Sequence, residues 1–260
     1  MPTDPYDLFA DVLEENDAPL SENDALDEVL QRTEADWGTA TVLDFTKVLS
    51  YPERPGRPAV EVTNEKVQDA ALRFRGHRVA VLNFASGVSP GGGVRFGAMA
   101  QEEALCLSSG LLHGLESHLE FYEKNREEGA PGECYDLMIW SEGVPLVCDG
   151  AYNPVEPMRM QVITYPAPNN HRTYGTNQSA DAVRSIFHRR CRHVVRQANN
   201  AGTEVLILGA WGCGEYGNDP VMVAREFKAA LSTQAGSIKH VVFACYGPSQ
   251  NRDVFKKVFA

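Results

Sequence analysis

Short apolar runs alternate with helical patterns from about residue 60 to the end of this chain. Four of the runs are rich in β-branched residues and bounded by Gly, Pro or Asn, which is typical of buried strands. These runs are Val79–Phe84, Gln161–Tyr165, Glu204–Leu208 and His240–Cys245. Because strands that alternate with helices pack as a sheet covered on both faces, the sequence predicts an α/β fold with a mixed or parallel sheet.

Two shorter runs and two helices complete this pattern. Leu137–Trp140 and Pro145–Cys148 are candidate strands, which we expect to form a hairpin across residues 141–143. Residues 181–200 and 219–231 carry apolar residues at helical spacing, and Pro220 stands at the first helical position of the second stretch. The buried faces are expected to hold Val183, Ile186, Phe187, Val194 and Ala198 in the first helix, and Val223, Phe227, Ala230 and Leu231 in the second.

The charge of the chain is unevenly distributed. Its 260 residues carry 24 basic and 35 acidic side chains, a formal net charge of −11. Residues 1–37 hold one basic and twelve acidic residues, so this segment accounts for the whole net charge. Because binding to bare nucleic acid or to an anionic membrane normally needs clustered Lys and Arg, we expect no sequence-specific nucleic-acid partner and no membrane partner.

The acidic segment also has apolar residues at spacings that suit short amphipathic helices. They are Leu8, Phe9, Val12, Leu13, Leu26, Val29 and Leu30. We expect a helical cap docked through these residues, with substrate shielding or partner binding as the alternative. Three prolines in residues 51–58 exclude helix and central strand, which indicates a linker or an extended crossing.

These features divide the chain at residue 58. Residues 1–58 are interpreted as an acidic helical extension with a Pro-rich connection, and residues 59–260 as the main domain. Within the main domain, residues 115–160 are a less recognisable insertion, which we expect to present a solvated helical face. A basic stretch at residues 188–196 lacks interleaved aromatic residues for base stacking, so a basic helix face that balances the acidic segment is preferred over a polymer-binding surface.

The six cysteines form no CxxC pair, and no His stands at metal-ligand spacing. The N-terminus lacks the basic start and apolar stretch of a signal peptide, and no apolar run approaches the roughly 20 residues that span a bilayer. We therefore expect a soluble, cytoplasmic protein with reduced thiols and no metal.

The first glycine loop follows the predicted strand that ends near Asn83. It contains Gly91, Gly92 and Gly93 and leads into a helix predicted at residues 100–112, whose first turn holds Gln101, Glu102 and Glu103. Glycines let the backbone approach a ligand where a Cβ would collide, so the adjacent carboxylates suggest a sugar or phosphate site. Acidic residues are also common in the first turn of inert helices, and three glycines can form a mere flexible connection.

The second glycine loop, residues 209–219, follows a strand and opens a helix with Asn218 or Asp219 as its N-cap. Its backbone N–H groups offer a site for a diphosphate. Gly212, Gly214 and Gly217 match the GxGxxG fingerprint, but only one strand remains, and it does not end in an acidic residue. We therefore interpret the loop as a phosphate cradle outside the NAD-dehydrogenase pattern.

Two further residues of the second loop are candidates for a role. Tyr216 is the natural residue to contact a ribose or base, with simple packing as the alternative. Cys213 has no His or acid placed to make it a nucleophile, so we expect a small residue that fills a tight turn.

Together the two loops resemble the signature of poly(ADP-ribose) glycohydrolases, notably the compact bacterial type. The resemblance lies in three glycines, seven further residues and then Gln-Glu-Glu, as in Gly91–Gly93 and Gln101–Glu103. Residues 209–220 resemble the diphosphate loop of the same family and of macrodomains more widely. The flanks Val62–Glu65, Val81–Ala85 and Val241–Ala244 agree, and the match covers roughly residues 60–260.

The resemblance implies a macrodomain-like, three-layer α/β/α fold with a central mixed sheet and an N-terminal helical extension. ADP-ribose would lie across the C-terminal ends of the strands. Glu103 would be the general acid that protonates the ribose 2′-oxygen and then the base that activates water. Glu102 would hold the distal ribose, glycines 91–93 would admit the ribose and a phosphate, and residues 212–218 would clasp the diphosphate.

The resemblance thus predicts poly(ADP-ribose) as the substrate, ADP-ribose as the product, no cofactor and a monomer. The expected ADP-ribose contacts are Asn83, Ser86, Gly91, Gly92, Gly93, Gln101, Gly212, Cys213, Gly214, Tyr216, Gly217 and Asn218. Ser86 stands where many macrodomains have Asn, and Arg95 and Phe96 either add contacts or face solvent. A general acid needs a proton, whereas the start of a helix favours an ionised carboxylate at Glu103.

Three other functions remain open on the sequence. A macrodomain can bind ADP-ribose without cleaving it, although adjacent carboxylates are not needed for binding alone. The same pocket could hydrolyse another ADP-ribosyl linkage, on protein or nucleic acid. A Rossmann oxidoreductase is the least favoured.

Overall fold

The computed structural model describes residues 20–48, 51–128, 134–170 and 179–260. In these residues the helices are α1 (Leu20–Thr33), α2 (Val67–Leu72), α3 (Gln101–Cys106), α4 (Leu111–Glu116), α5 (Leu119–Glu128), α6 (Ala180–Asn200), α7 (Pro220–Gln234) and α8 (Ser249–Phe259). The strands are β1 (Thr39–Asp44), β2 (Ala59–Thr63), β3 (Val79–Phe84), β4 (Leu137–Cys148), β5 (Pro154–Tyr165), β6 (Val205–Leu208) and β7 (His240–Ala244).

The seven strands form one mixed sheet in the order β1-β4-β5-β3-β6-β7-β2. Strand β3 runs parallel to β5 and β6, and β7 runs parallel to β6 and β2. Strand β4 is antiparallel to both β1 and β5. The predicted α/β fold with a mixed sheet is confirmed.

Helices cover the two faces of the sheet because side chains alternate along its buried strands. Ala80 and Leu82 of β3 pack against α6, α7 and α8, in the apolar cluster that contains Phe187 and Phe227. Residues 79 and 81 point to the other face, where α1 to α5 supply the cluster around Leu105. The three-layer α/β/α arrangement follows from this division.

Helix α1 docks through the apolar positions that the sequence indicated. Leu26 and Val29 are buried, and Val29 packs with Val147 and Cys148. The earlier apolar positions, Leu8, Phe9, Val12 and Leu13, lie outside the described residues. Residues 51–58 form neither helix nor strand, as their prolines predict.

Strand β1 was not expected from the sequence. Residues 39–44 pair with β4 and form one edge of the sheet, so a segment placed before the Pro-rich connection contributes a strand to the main sheet. Its side chains alternate between exposed and partly buried, as on an edge strand with one solvated face.

The hairpin expected across residues 141–143 is wrong. Residues 137–148 form one strand that pairs with β5 on both sides of a register shift between Ser141 and Val144. Gly143 has φ +73°, so this glycine makes a bulge within the strand instead of a turn between two strands. Within residues 115–160, α5 exposes Glu120 and buries Phe121 and Tyr122, and β4 and β5 occupy most of the remainder.

The helix expected at residues 100–112 is also interrupted. It ends at Cys106 because the next residues bond to β4: Gly110 N–H donates to Pro145 O, and Val147 N–H donates to Ser108 O. The Ser108 hydroxyl donates to Ala104 O, which satisfies a carbonyl at the helix end.

The basic stretch on α6 is not an exposed face. Arg190, His193 and Arg196 are buried, and Asp136 receives a hydrogen bond from the Nε of both Arg189 and Arg190, each 2.8 Å long. Arg189 and Arg190 are thus paired with Asp136, which directly precedes β4. Half of the acidic residues of the 1–37 segment lie outside the described residues, so its match with this stretch stays a prediction. No helix in the described parts of the chain is long and apolar enough to cross a membrane.

Candidate active site

A pocket of about 550 Å³ opens at the carboxyl ends of the parallel strands. Phe84 at the end of β3, Ala167 after β5, Ala210 after β6 and Ala244 at the end of β7 all line it. Ligands of open α/β sheets bind at this end because the loops and helix starts converge there. Among the described residues, no cluster of His, Cys, Asp and Glu is arranged to hold a metal ion.

Two carboxylates meet over Gly92 in the wall of this pocket. A Cβ at Gly92 would overlap Glu103 Oε1 and lie 3.1 Å from Glu102 Oε2. The φ of Gly92 is +60°, a conformation that other residues rarely adopt. Both observations require glycine at the centre of the Gly91–Gly93 run.

The carboxylate of Glu103 is held from both ends of one loop. Gly93 N–H donates to Oε1 at 3.0 Å, and Ala100 N–H donates to Oε2 at 3.1 Å. The second contact is half of a capping box, because Glu103 is the third residue of α3 and bonds back to the residue before the helix. Glu103 is buried yet lines the pocket.

Glu102 lies deeper, against β3. Its Oε1 accepts from Asn83 Nδ2 at 3.1 Å, and its Oε2 accepts from Ser86 N–H at 2.7 Å. The pKa of Glu102 is raised to about 8, chiefly by burial and also by the charge of Glu103, against the hydrogen bonds from Ser86 and Asn83, which lower it. The site therefore favours the protonated form of Glu102.

Neighbouring side chains fix the pair against the sheet. Gln101 Oε1 accepts from Phe84 N–H at 2.8 Å and its Nε2 donates to Leu82 O at 2.9 Å, so its amide bonds to β3 as a neighbouring strand would. Asn83 Nδ2 also donates to Thr164 Oγ1 of β5 at 3.3 Å. The sequence missed Thr164 because only the β3–β5 register places it opposite Asn83.

Close packing and side-chain hydrogen bonds fix the second glycine loop. A Cβ at Gly212, whose φ is +71°, would lie 2.7 Å from Ala167 Cβ and 2.8 Å from Asn218 Nδ2. Asn218 Nδ2 donates to Gly212 O and Pro168 O at 2.9 and 2.8 Å. Asp219 is the N-cap of α7 and accepts from Val221 N–H, with Pro220 at the first position as predicted.

This loop leaves backbone donors unused. The N–H groups of Gly212, Gly214 and Glu215 donate to no acceptor in the described part of the chain, and all three residues line the pocket. A group of free N–H donors on a glycine-rich loop suits an anion. Burial raises the pKa of the Cys213 thiol to about 12, so Cys213 is a packed side chain and not a thiolate.

Another part of the pocket is aromatic and was missed in the sequence. Lys66 Nζ donates to Gly150 O at 2.6 Å and lies 4.6 Å from the centre of the Tyr152 ring and 5.6 Å from that of Tyr246. Tyr152 has φ +65°, an uncommon conformation for a bulky residue. The one signal in the sequence for this part of the pocket was the Val62–Glu65 flank, which Lys66 directly follows.

Comparisons with known proteins agree with this geometry. The family model for the catalytic domain of microbial-type PARG matches residues 22–149, and no curated protein matches. The crystal structure of poly(ADP-ribose) glycohydrolase from Thermomonospora curvata is 30% identical, covers 92% of this chain and 99% of its own, and superposes with a TM-score of 0.81. That of the Deinococcus radiodurans enzyme in complex with ADP-ribose is 32% identical, covers 90% and 96%, and gives a TM-score of 0.76.

This chain belongs to the poly(ADP-ribose) glycohydrolase family. The resemblance identified in the sequence is thereby confirmed. A further structure of the Thermomonospora curvata enzyme, bound to the inhibitor ADP-HPD, is 30% identical with a TM-score of 0.79 and covers 91% of this chain and 98% of its own.

In this glycohydrolase the predicted site residues fall into two groups. Those that line the pocket are Ser86, Gly92, Gln101, Glu102, Glu103, Gly212, Gly214 and Tyr216. The others are not lining residues and are Asn83, Gly91, Gly93, Cys213, Gly217 and Asn218. Several of the second group hold members of the first through hydrogen bonds, as Asn83 holds Glu102 and Gly93 holds Glu103. Arg95 pairs with Glu116.

Proposed function

We propose that this protein hydrolyses the ribose–ribose O-glycosidic bond of poly(ADP-ribose) and releases ADP-ribose. The observation that carries the proposal is the pair of buried carboxylates over Gly92, in the same pocket as a loop with free N–H groups. The first feature supplies acid–base chemistry for a glycosidic bond, and the second supplies neutral donors for a diphosphate.

Glu103 acts as general acid and then as general base. Its proton passes to the 2′-oxygen of the leaving ribose while the bond between that oxygen and the anomeric carbon breaks. Water then attacks the anomeric carbon and returns a proton to Glu103, so the carboxyl is restored. The negative charge left on Glu103 as its proton departs stabilises the oxocarbenium-like transition state.

Glu102 supplies the second function of the pair. Burial raises its pKa to about 8 and so favours the protonated form, which can both donate to and accept from the hydroxyls of the distal ribose. The negative charge of a bound diphosphate favours a further proton on the carboxylate pair. This addresses the need for a proton at Glu103, where the start of a helix opposes it.

The diphosphate, the reacting ribose and the adenine are assigned to the remaining walls of the pocket. The N–H groups of Gly212, Gly214 and Glu215 receive diphosphate oxygens, and Tyr216 lies beside the reacting ribose. Tyr152 and Tyr246 provide aromatic surface for the adenine. We further propose that the protein acts in the cytoplasm, which its six free cysteines support.

The substitution Glu103→Gln tests the catalytic assignment. It keeps the size of the side chain but removes the proton donor, so release of ADP-ribose from labelled polymer should slow by at least ~100-fold. The Kd for ADP-ribose, measured by calorimetry, should change little. Glu120→Gln, at an exposed carboxylate of α5, is the matched control and should retain full activity.

Two results would contradict the proposal. Polymer cleavage that survives Glu103→Gln would remove Glu103 from the reaction. Binding of ADP-ribose by the wild-type protein without any cleavage of polymer would instead identify a non-catalytic reader.

A further inference from the structure

Exposed apolar side chains are concentrated beside Glu103. Five large apolar side chains are strongly exposed in the described residues; they are Val88, Phe96, Met99, Leu119 and Tyr246. Val88, Phe96 and Met99 belong to the connection between β3 and α3, and Met99 lines the pocket. Phe96 is 54% exposed and Met99 is 52% exposed, so both side chains are accessible to a ligand.

Both side chains are carried by the loop that holds the catalytic carboxylate. Gly93 and Ala100, at the two ends of this loop, donate their N–H groups to Glu103. Inside the loop, Phe96 N–H and Ala98 N–H both donate to Gly93 O, at 2.9 and 3.1 Å. Phe96 and Met99 therefore stand on a short, internally bonded loop whose ends are fixed to Glu103.

The position of the acid indicates what passes this loop. A general acid must lie within hydrogen-bond distance of the oxygen that it protonates. Whatever is attached to that oxygen must therefore leave past the segment that holds Glu103. In poly(ADP-ribose) the oxygen is the 2′-oxygen of the next unit, and the neighbouring carbon of that ribose carries adenine. An aromatic base is thus brought close to the loop by the chemistry of the bond.

The one charged side chain of this loop, Arg95 next to Phe96, is paired with a carboxylate. Arg95 donates from Nε to Glu116 Oε1 at 2.9 Å and from Nη2 to the same oxygen at 2.6 Å. The guanidinium of Arg95 is thus paired with Glu116 at the end of α4. The loop therefore presents an aromatic ring and a thioether to a ligand, and not an unpaired cation. Aromatic rings stack on any base, and methionine sulfur packs favourably against aromatic edges.

We propose that Phe96 and Met99 form a leaving-group subsite, which binds the adenine of the polymer unit next to the scissile bond. The inference rests on the proposed glycohydrolase function. It assigns to this loop a contact with the part of the substrate that ADP-ribose itself lacks.

The test compares two ligands that differ by one unit. In a Glu103→Gln background, which prevents cleavage, calorimetry gives the Kd for ADP-ribose and for the dimer of two ADP-ribose units. Addition of Phe96→Ala should weaken dimer binding by about 5- to 50-fold, the range for loss of one stacked base, and leave ADP-ribose binding unchanged. Met99→Ala should have a smaller effect of the same kind, and Phe96→Tyr should restore dimer affinity.

Leu119→Ala is the matched control, because Leu119 is 52% exposed but lies at the start of α5, outside the loop that holds Glu103. Equal dimer affinity with and without Phe96 would overturn the subsite. An equal loss for both ligands would also overturn it, since the residue would then serve ADP-ribose binding or folding. Failure of the wild-type protein to cleave polymer would be a different result, and it would overturn the proposed function.

Discussion

The two loops are both rich in glycine, but they use their backbone N–H groups in opposite ways. In the first loop, the N–H groups of Ser86, Gly93 and Ala100 are all taken up by the carboxylates of Glu102 and Glu103. In the second loop, the N–H groups of three pocket-lining residues remain free. Glycine content alone therefore does not identify an anion site, because the backbone N–H groups of a glycine-rich loop can instead bind the protein's own carboxylates.

The space around the glycines differs in the same way. A Cβ at Gly92 would collide with the carboxylates, whereas a Cβ at Gly214 would meet nothing within 4 Å. The first loop is closed at Gly92 by its own contacts, whereas the second is packed at Gly212 and open at Gly214. Substitutions in the two loops should therefore have unequal effects.

Gly92→Ala should have the largest effect on the fold of the site. The new methyl group overlaps Glu103 Oε1, and the backbone stands at φ +60°, so the pair must separate. Polymer hydrolysis should fall by at least ~100-fold and the melting temperature should drop, because strain and displacement act together. A Gly92→Ala variant with near-normal kcat would contradict the conclusion that contacts at Gly92 close the first loop.

Glu102→Gln should change the pH dependence of stability. The pKa of Glu102 is about 8 in the folded protein and near the ordinary carboxyl value in the unfolded chain, so the folded state binds the extra proton between these values. Stability from this group is complete below the unfolded pKa and is lost as pH rises through about 8. The Gln variant lacks this loss, so the melting temperature of the wild type should fall relative to that of the variant from pH 5 to about pH 8 and change no further above it.

The measurement is a series of thermal melts from pH 5 to pH 9. Parallel curves for the two proteins would show that Glu102 is not the group that titrates. Wild-type activity should also decline above about pH 8, because the carboxylate pair then loses its proton.

Thr164→Val should have an intermediate effect. The change keeps the volume of a buried side chain but removes the hydroxyl that Asn83 Nδ2 bonds, at a cost of about 1 kcal/mol. Because Asn83 also holds Glu102, kcat should fall by up to ~10-fold with little change in KM. Thr164→Ser keeps the hydroxyl and should restore kcat, and equal losses in the two variants would point to packing instead.

Gly214→Ala should have the smallest effect. Nothing lies within 4 Å of the new methyl group and the N–H remains, so melting temperature should be unchanged and kcat/KM should fall by less than ~3-fold. Gly212→Ala is the internal comparison, since a Cβ there lies 2.7 Å from Ala167 Cβ. A severe loss at Gly214 would mean that the loop closes tightly on its ligand.

Local sequence patterns predicted the parts of the fold that local physics determines. Strand β3 has the predicted bounds, and α7 begins with the predicted Pro220 after an N-cap at Asp219. Both glycine loops lie where expected, because a glycine run after a strand end is a local signal.

Features that depend on distant contacts were missed. The helix at residues 100–112 stops at Cys106 because β4, some forty residues later, bonds to its end. The role of Thr164 depends on the β3–β5 register, and that of Lys66 on a turn at Gly150. The raised pKa of Glu102 was likewise not predicted, because it depends on burial of this carboxylate against β3.

The edge strand β1 limits how the acidic segment can be removed. Removal of residues 1–37 leaves all six β1–β4 pairs, from Thr39 to Asp44, in place. Removal of residues 1–58 would uncover the backbone of Leu137–Glu142, and unpaired strand edges recruit strands from other molecules. Self-association of the longer deletion would thus report a bare sheet edge and would say nothing about the loss of negative charge.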